Sequence, residues 1–316
     1  MEIYRDLSVI EHSPNAVVTV GMFDGVHLGH QALIEKVQKK ASQIDGLSTI
    51  ITFSPHPQLI LYPEQTQNVS LITSDEEKIA VMENLGIDRL IILNFTDMFA
   101  QLSAREFIEK ILVQQIGFKV IIIGHDHHFG KNRSGDVGLL KELAAQYNFQ
   151  IELADAIRVD GEIVSSTSLR QLIRSGNVGR AKQFLGRNYT LTGKVVSGEK
   201  RGRLLNFPTA NLVPTNPQKL VPKDGIYAVK VKVGAAQYLG ALNTGMKPTF
   251  SSPSRTIEVF LLDFQGDLYG QLLEVEFLTF MRDEIKFPDS AQLIQQLQKD
   301  VNYVRQNFTN ELKLKI

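Results

Sequence analysis

The sequence predicts two domains of different architecture: an α/β domain built on a parallel sheet, then an antiparallel β domain, a barrel or sandwich, closed by a C-terminal helix. Three observations predict it. In the first half, short β-branched apolar runs alternate with amphipathic stretches, as a parallel sheet covered on both faces requires. Beyond about residue 186 the runs alternate apolar and polar positions and are separated by Gly, Pro, Asn or Asp, the pattern of antiparallel strands. Other residue types divide the same way: seven of the eleven prolines follow residue 200, whereas all seven histidines precede residue 129.

In chain order, AVVTV (16–20), LSTIITF (47–53), DRLIILNF (88–95) and KVIIIG (119–124) read as strands. From His30 onward, Leu33, Ile34, Val37, Ala41 and Ile44 recur at helical spacing, and 75–85, 103–116 and 168–185 are further helical stretches. The segment Gly186–Thr190 then marks the boundary between a domain of residues 1–185 and one of 186–316. LTGKVV, GIYAVKVKV (225–233), QYLGALN, TIEVFLL (256–262) and LLEVEFLTF (272–280) supply the second domain's strands. Leu293, Leu297, Val301 and Val304 fall on one face of a closing helix.

Composition limits the functions available. The 316 residues, 43% hydrophobic and 22% charged, describe a globular chain with room for two cores. Thirty-four basic residues balance thirty-four acidic ones, so no overall field recruits nucleic acid or an acidic membrane. There is no cysteine, which excludes disulfides, thiolate metal sites and cysteine nucleophiles. MEIYRDLSVIEHSP lacks a signal-peptide core and no apolar run reaches membrane-spanning length, so a cytoplasmic location is expected.

Two stretches carry chemistry. In GMFDGVHLGH (21–30), the glycines allow a ligand to lie against the main chain, and the helix that follows presents N–H groups suited to phosphate. His27 and His30, three apart, can point to one side and donate to phosphoryl oxygens. His56 lies in the proline-stiffened loop SPHP, either lining a pocket or incidental to a turn. Ser166 and Thr167 precede a helical run that they can cap, and Arg170 adds a planar cation one turn on. In HDHH (125–128), His125 and His127 could approach one ion, but no further ligand stands at suitable spacing.

The second stretch is GKVVSGEKRGRLLNFPTANL (193–212). Its glycines with Lys200, Arg201 and Arg203 offer donors and cations for polyphosphate. Thr209 and Asn211, two apart on extended backbone, share a face and can help hold a magnesium ion that bridges nucleotide phosphates. Glu258 shares its strand parity with Phe260 and Leu262, which favours an inward or cleft position. Arg282 contacts a ligand or forms a surface ion pair.

GMFDGVHLGH resembles the H-x-G-H signature of the nucleotidylyl transferases. Its F-D-G-V-H-x-G-H form is similar to the FMN adenylyltransferase module of bacterial bifunctional FAD synthetases. TFSPHP (52–57), GHDHHFGKNRSGD (124–136) and VSSTSLR (164–170) resemble further blocks of that module in order. FPTANL, DGIYAV, LNTGMKPTF (242–250), IEVFLLDFQGDLYG (257–270) and FMRDEIKF (280–287) resemble the blocks of riboflavin kinases. Met22, His127, His128 and Asn206 depart from the usual family residues.

The resemblance implies a Rossmann-like nucleotidylyl transferase domain followed by a six-stranded β-barrel riboflavin kinase domain with a C-terminal helix. It implies phosphorylation of riboflavin by ATP to FMN, then adenylylation of FMN by ATP to FAD with release of pyrophosphate. His27, His30 and Glu258 would carry the chemistry. Gly21, Phe23, Asp24, Gly29, His56, Asp126, Phe129, Arg133, Ser166, Thr167 and Arg170 would line the adenylyltransferase site. Gly198, Lys200, Gly202, Arg203, Thr209, Asn211 and Arg282 would line the kinase site, with Mg²⁺ held at Thr209 and Asn211. The expected partners are the small molecules riboflavin, FMN, FAD and ATP, with no nucleic acid and no membrane. A flavin-binding module without turnover is the rival class, and the proton-accepting Glu258 argues against it.

Overall fold

The computed structural model describes residues 1–124, 137–198, 205, 207–247 and 254–312. By spatial contact the chain divides into two compact units, Met1–Ser166 and Thr167–Ile316. The helices of 166–185 therefore group with the barrel, although the change of sequence pattern falls after them.

The first unit is a six-stranded, all-parallel sheet in the order β1-β4-β3-β2-β5-β6. Its strands are β1 (Glu2–Tyr4), β2 (Val17–Val20), β3 (Ser48–Ser54), β4 (Arg89–Asn94), β5 (Val120–Gly124) and β6 (Gln150–Ala154). β2 is buried along its whole length, and β3 to β5 over most of theirs, because both faces are covered, which is why these strands read as unbroken apolar runs. On one face Val17, Ile50, Leu90, Ile92, Val120 and Ile122 pack against α1 (Leu28–Gln43) and against Met82 of α3 (Asp75–Asn84). On the other, Val18, Ile51, Ile91, Leu93, Ile121 and Ile123 meet Phe107, Ile108, Leu112 and Ile116 together with Leu140 and Leu143 of α6 (Val137–Tyr147). Between these lie two short helices, α2 (Pro57–Leu61) and α4 (Asp97–Ala100).

Two features depart from the sequence expectation. The helix expected over 103–116 is present, but after its first turn, α5 (Ala104–Glu106), Phe107–Ile116 is π-helical and ends at Gly117, whose N–H reaches back to the Leu112 carbonyl. A two-stranded hairpin of β7 (Arg158–Val159) and β8 (Glu162–Ile163) turns on Asp160 and Gly161, both at positive φ. That dipeptide suits a two-residue turn.

The second unit begins with α7 (Ser166–Arg174) and α8 (Val178–Leu185), which Gly186 closes in the left-handed conformation. A closed barrel follows in the order β10-β13-β12-β11-β14-β9. Its strands are β9 (Tyr189–Val196), β10 (Ala210–Pro214), β11 (Gly225–Val233), β12 (Ala236–Lys247), β13 (Ser254–Leu261) and β14 (Leu272–Arg282). The residue pattern alone left barrel and sandwich open, and the family resemblance implied the six-stranded barrel found here; antiparallel pairing of β9 with both β10 and β14 closes the ring. Tyr189, Tyr227, Val229, Leu242, Val259 and Phe277 are fully buried in it. The closing helix α9 (Ser290–Phe308), N-capped by Asp289, buries Val304 against Ala228, Leu239, Leu262 and Leu278.

Candidate functional site

The connection after β2 runs to β3 on one side and the connection after its other neighbour, β5, runs to β6 on the opposite side, so the direction of connection reverses at β2. The crevice beyond the carboxyl end of such a strand is where open α/β sheets take ligands. The chain there makes a tight turn: Phe23, Gly25 and Val26 have φ of 49°, 88° and 39°. Side chains that are exposed in most turns are buried in this one, including Phe23, Val26 and Asp24.

Asp24 holds the turn. Its carboxylate accepts from the Ile72 N–H at 2.9 Å, the Thr73 N–H at 3.0 Å and the Thr73 hydroxyl at 3.3 Å. Thr73 Oγ1 in turn accepts from the Gly25 N–H at 3.0 Å. The carbonyl of Asp24 accepts from Ser166 Oγ at 2.8 Å. Its carboxylate oxygens accept from the protein's own donors, which ties the turn to the Ile72–Thr73 segment. Lys78 lies behind the turn, 4% exposed, 3.6 Å from Asp75 and 3.5 Å from Thr52 Oγ1. Burial pushes its ammonium below the ordinary lysine value, with Asp75 and Asp24 opposing that shift.

α1 starts at Leu28, two residues before the sequence indicates, and His27 is its N-cap. His27 Nδ1 accepts from the His30 N–H at 3.2 Å, so in the neutral ring Nε2 carries the proton. The two imidazoles are stacked, 3.6 Å between centroids and 15° between planes, and Phe23 lies 5.0 Å from the His30 ring. A Cβ on Gly29 would come within 3.1 Å of the His27 ring, and one on Gly21 within 3.2 Å of the Phe23 ring. Both glycines make room for a neighbouring ring.

His56 N-caps α2 through Nδ1, accepting from the Gln58 N–H at 3.3 Å, and is half-buried. Ser166 and Thr167 lie inside the first turn of α7 instead of preceding it, and Ser166 serves the Asp24 turn. Thr167 and Arg170 follow on that helix, grouped with the second unit. His125, Asp126, His127, His128, Phe129 and Arg133 lie outside the described residues, as do Lys200, Arg201, Gly202, Arg203 and Asn206. Among the described residues, no cluster of three His, Asp or Glu could hold a metal ion.

In the barrel the register builds the site. Asn211 of β10 stands opposite Glu258 of β13, and Glu258 stands opposite Asn243 of β12, giving a row of three polar side chains across three strands. Phe260 and Ala241 continue the same face in the next row. This face lies outside the barrel interior, where Ile257 and Val259 are buried, and beneath α9. A cavity of about 410 Å³ separates it from Leu293, Leu297 and Val301 of that helix. Glu258 therefore lies in a cleft, as its strand parity suggests. Gly198 crosses the row so closely that a Cβ would fall 2.2 Å from Asn211 Nδ2.

Thr209 Oγ1 donates to Glu258 Oε2 at 3.2 Å. Thr209 also lines a second cavity, of about 480 Å³, walled by Pro208, Ala210 and the loop Phe264–Tyr269. One side chain thus borders both spaces. Arg282 lines the first cavity but is held by Asp300 of α9, Nε at 3.1 Å and Nη2 at 2.6 Å. Of the two sequence readings of Arg282 the ion pair is present, buried at the helix instead of on the surface. Asn243, Asp300 and Glu284 were missed by sequence reasoning, since only the folded register and α9 bring them to the cavity.

The geometry agrees with comparisons to known proteins. Residues 9–168 match the family model for FAD synthetase and residues 185–308 the model for riboflavin kinase. A bifunctional riboflavin kinase/FMN adenylyltransferase from Listeria monocytogenes is 37% identical over 93% of both chains. One from Buchnera aphidicola is 34% identical over 98% of both. Among solved structures, a protein described as a macrolide-efflux protein from Streptococcus pneumoniae superposes with a TM-score of 0.87 at 30% identity. It covers 96% of this chain and 98% of that one, and its name describes an activity neither family model shares. Among the described residues no helix is long and apolar enough to cross a membrane. With both models matched in order and relatives aligned almost end to end, the chain belongs to the bifunctional riboflavin kinase/FMN adenylyltransferase family.

Proposed function

We propose that the chain carries out two successive reactions, phosphorylation of riboflavin to FMN in a domain of residues 186–316 and adenylylation of FMN to FAD in a domain of residues 1–185, each with ATP. The observation that carries this reading is a separate, chemically distinct site in each unit: stacked histidines at a helix mouth in one, and in the other a cavity carboxylate bonded to the threonine that borders a second cavity. ATP is the co-substrate of both steps, and the cytoplasm is the compartment that supplies it.

In the kinase step the cavity beneath α9, with walls such as Phe207, Phe260 and Leu297, receives the flat apolar flavin ring. The neighbouring cavity receives the nucleotide. Phosphoryl transfer depends on bringing the attacking hydroxyl and the γ-phosphorus into line. Glu258, bonded to Thr209 at the join, accepts the hydroxyl proton as the new oxygen–phosphorus bond forms and the β–γ bridging bond breaks to release ADP. Thr209 and Asn211 offer neutral, hard oxygens beside that carboxylate, a donor set that fits Mg²⁺ bound chiefly through nucleotide phosphates. When bound, the ion neutralises charge on the transferring group.

In the adenylylation step an FMN phosphate oxygen forms a bond to the α-phosphorus of ATP, and the α–β bridging bond breaks to release pyrophosphate. No covalent enzyme intermediate is needed. The buried His27, through Nε2–H, and His30 beside it stabilise charge on the transferring group at the positive end of α1.

Incubation with riboflavin, ATP and Mg²⁺, followed by separation of the flavins, tests both reactions. FMN should form first and FAD after it. Unchanged riboflavin would overturn the kinase assignment, and FMN that never proceeds to FAD would overturn the other.

A further inference from the structure

Among the described residues that line the cavity beneath α9, one buried side-chain atom has no hydrogen-bond partner. Asn243 Oδ1 is buried and accepts no hydrogen bond. A buried acceptor left without a donor is unfavourable, and such atoms usually mark a place completed by something absent from the chain. Its neighbours do not supply the donor. Asn243 stands opposite the Glu258 carboxylate on one side and the apolar Ile226 on the other, the cavity also contains the carboxylates of Glu284 and Asp300, and the Arg282 guanidinium is engaged by Asp300.

We infer that Asn243 is a specificity-determining residue of the kinase site, its Oδ1 accepting a hydrogen bond from a hydroxyl of the ribityl chain other than the one that is phosphorylated. The inference rests on the assignment of this cavity to riboflavin. Asn243 is directly opposite Glu258 on the adjacent strand, and strands are about 4.8 Å apart. A polyol whose terminal hydroxyl meets Glu258 passes its remaining hydroxyls within that reach. With the acceptors Glu258, Asn243 and Glu284 and the Asn211 amide as donor, the cavity suits a ligand that both donates and accepts, as the hydroxyls of a polyol do. Ala241, next along β12 on the same face, leaves room for the chain beside the amide.

The test compares riboflavin with three analogues, each lacking the 2′, 3′ or 4′ hydroxyl, as substrates of the full chain and of Asn243→Ala and Asn243→Leu. Leucine keeps the shape of the amide without its acceptor, so it reads the same interaction if the alanine variant does not fold. The wild-type chain should lose about tenfold in kcat/KM on one analogue, the effect of one hydrogen bond to a buried acceptor. The variants should lose about as much on riboflavin and discriminate no further against that analogue. Equal losses on all four substrates, undiminished discrimination, or a changed Mg²⁺ requirement in its place would overturn the inference. A wild-type chain that forms no FMN would instead overturn the kinase assignment itself, so the two failures are distinguishable.

Discussion

The two sites place their reactive groups by opposite means. In the α/β unit the histidines sit on a turn with three consecutive-region residues at positive φ, and that turn is held from outside by Ile72, Thr73 and Ser166. In the barrel the strands themselves align the site: Asn211, Glu258 and Asn243 are adjacent because β10, β13 and β12 pair in one register. The first device concentrates the chemistry in a short motif and distributes its support along the chain. The second distributes the chemistry and draws its support from regular pairing.

That contrast predicts how each site breaks. The largest effect is expected from Glu258→Gln, which removes the proposed proton acceptor while keeping the shape of the row. FMN formation from riboflavin should fall by about 10²- to 10⁴-fold, with FAD formation from supplied FMN unchanged. If that variant phosphorylates riboflavin normally, Glu258 is not the base. Next, His30→Ala should raise the adenylylation barrier by about 3 kcal/mol, so that FMN accumulates and FAD does not. Loss of both activities together would show that the sites are not independent.

Asp24→Ala should act through structure. It strands the N–H groups of Ile72 and Thr73, each unsatisfied donor costing about 1–3 kcal/mol, so a lower melting temperature should accompany the lost FAD formation. Unchanged stability would mean that the turn does not depend on this clasp. The smallest effect is expected from Gly29→Ala, whose methyl would press on the His27 ring at 3.1 Å. A shift of about 1 kcal/mol in the adenylylation barrier, with kinase activity intact, would report the imidazole's displacement.

What was legible in the sequence follows the same division. β2, β3, β4 and β5 were readable because burial on both faces leaves unbroken apolar runs, whereas β1, with its exposed Glu2 and Ile3, and β6, polar along half its length, carry no such mark. His27 and His30 could be named from a decapeptide. The work of Asp24 could not, since its partners are 48 residues away and nothing local identifies them. Strand parity was enough to put Glu258 in a cleft, but parity says nothing about which strand lies alongside, so Asn243 remained an ordinary asparagine until the register was known. Arg282 could be read as a ligand contact or a surface ion pair but not assigned its partner, because Asp300 comes from the closing helix.

The closed ring of β9 to β14 has a consequence for how this chain can vary. Every strand is gripped on both sides, so sliding one of them by a single residue would break two ladders at once and turn Glu258 into the interior while Ile257 or Val259 faced the cavity. Alignment of the row is therefore a property of the whole circumference. Connecting segments such as 234–235 or 262–271 can lengthen or shorten without moving Glu258 relative to Asn211, whereas an insertion of one residue inside β13 should silence the kinase even where the barrel still closes.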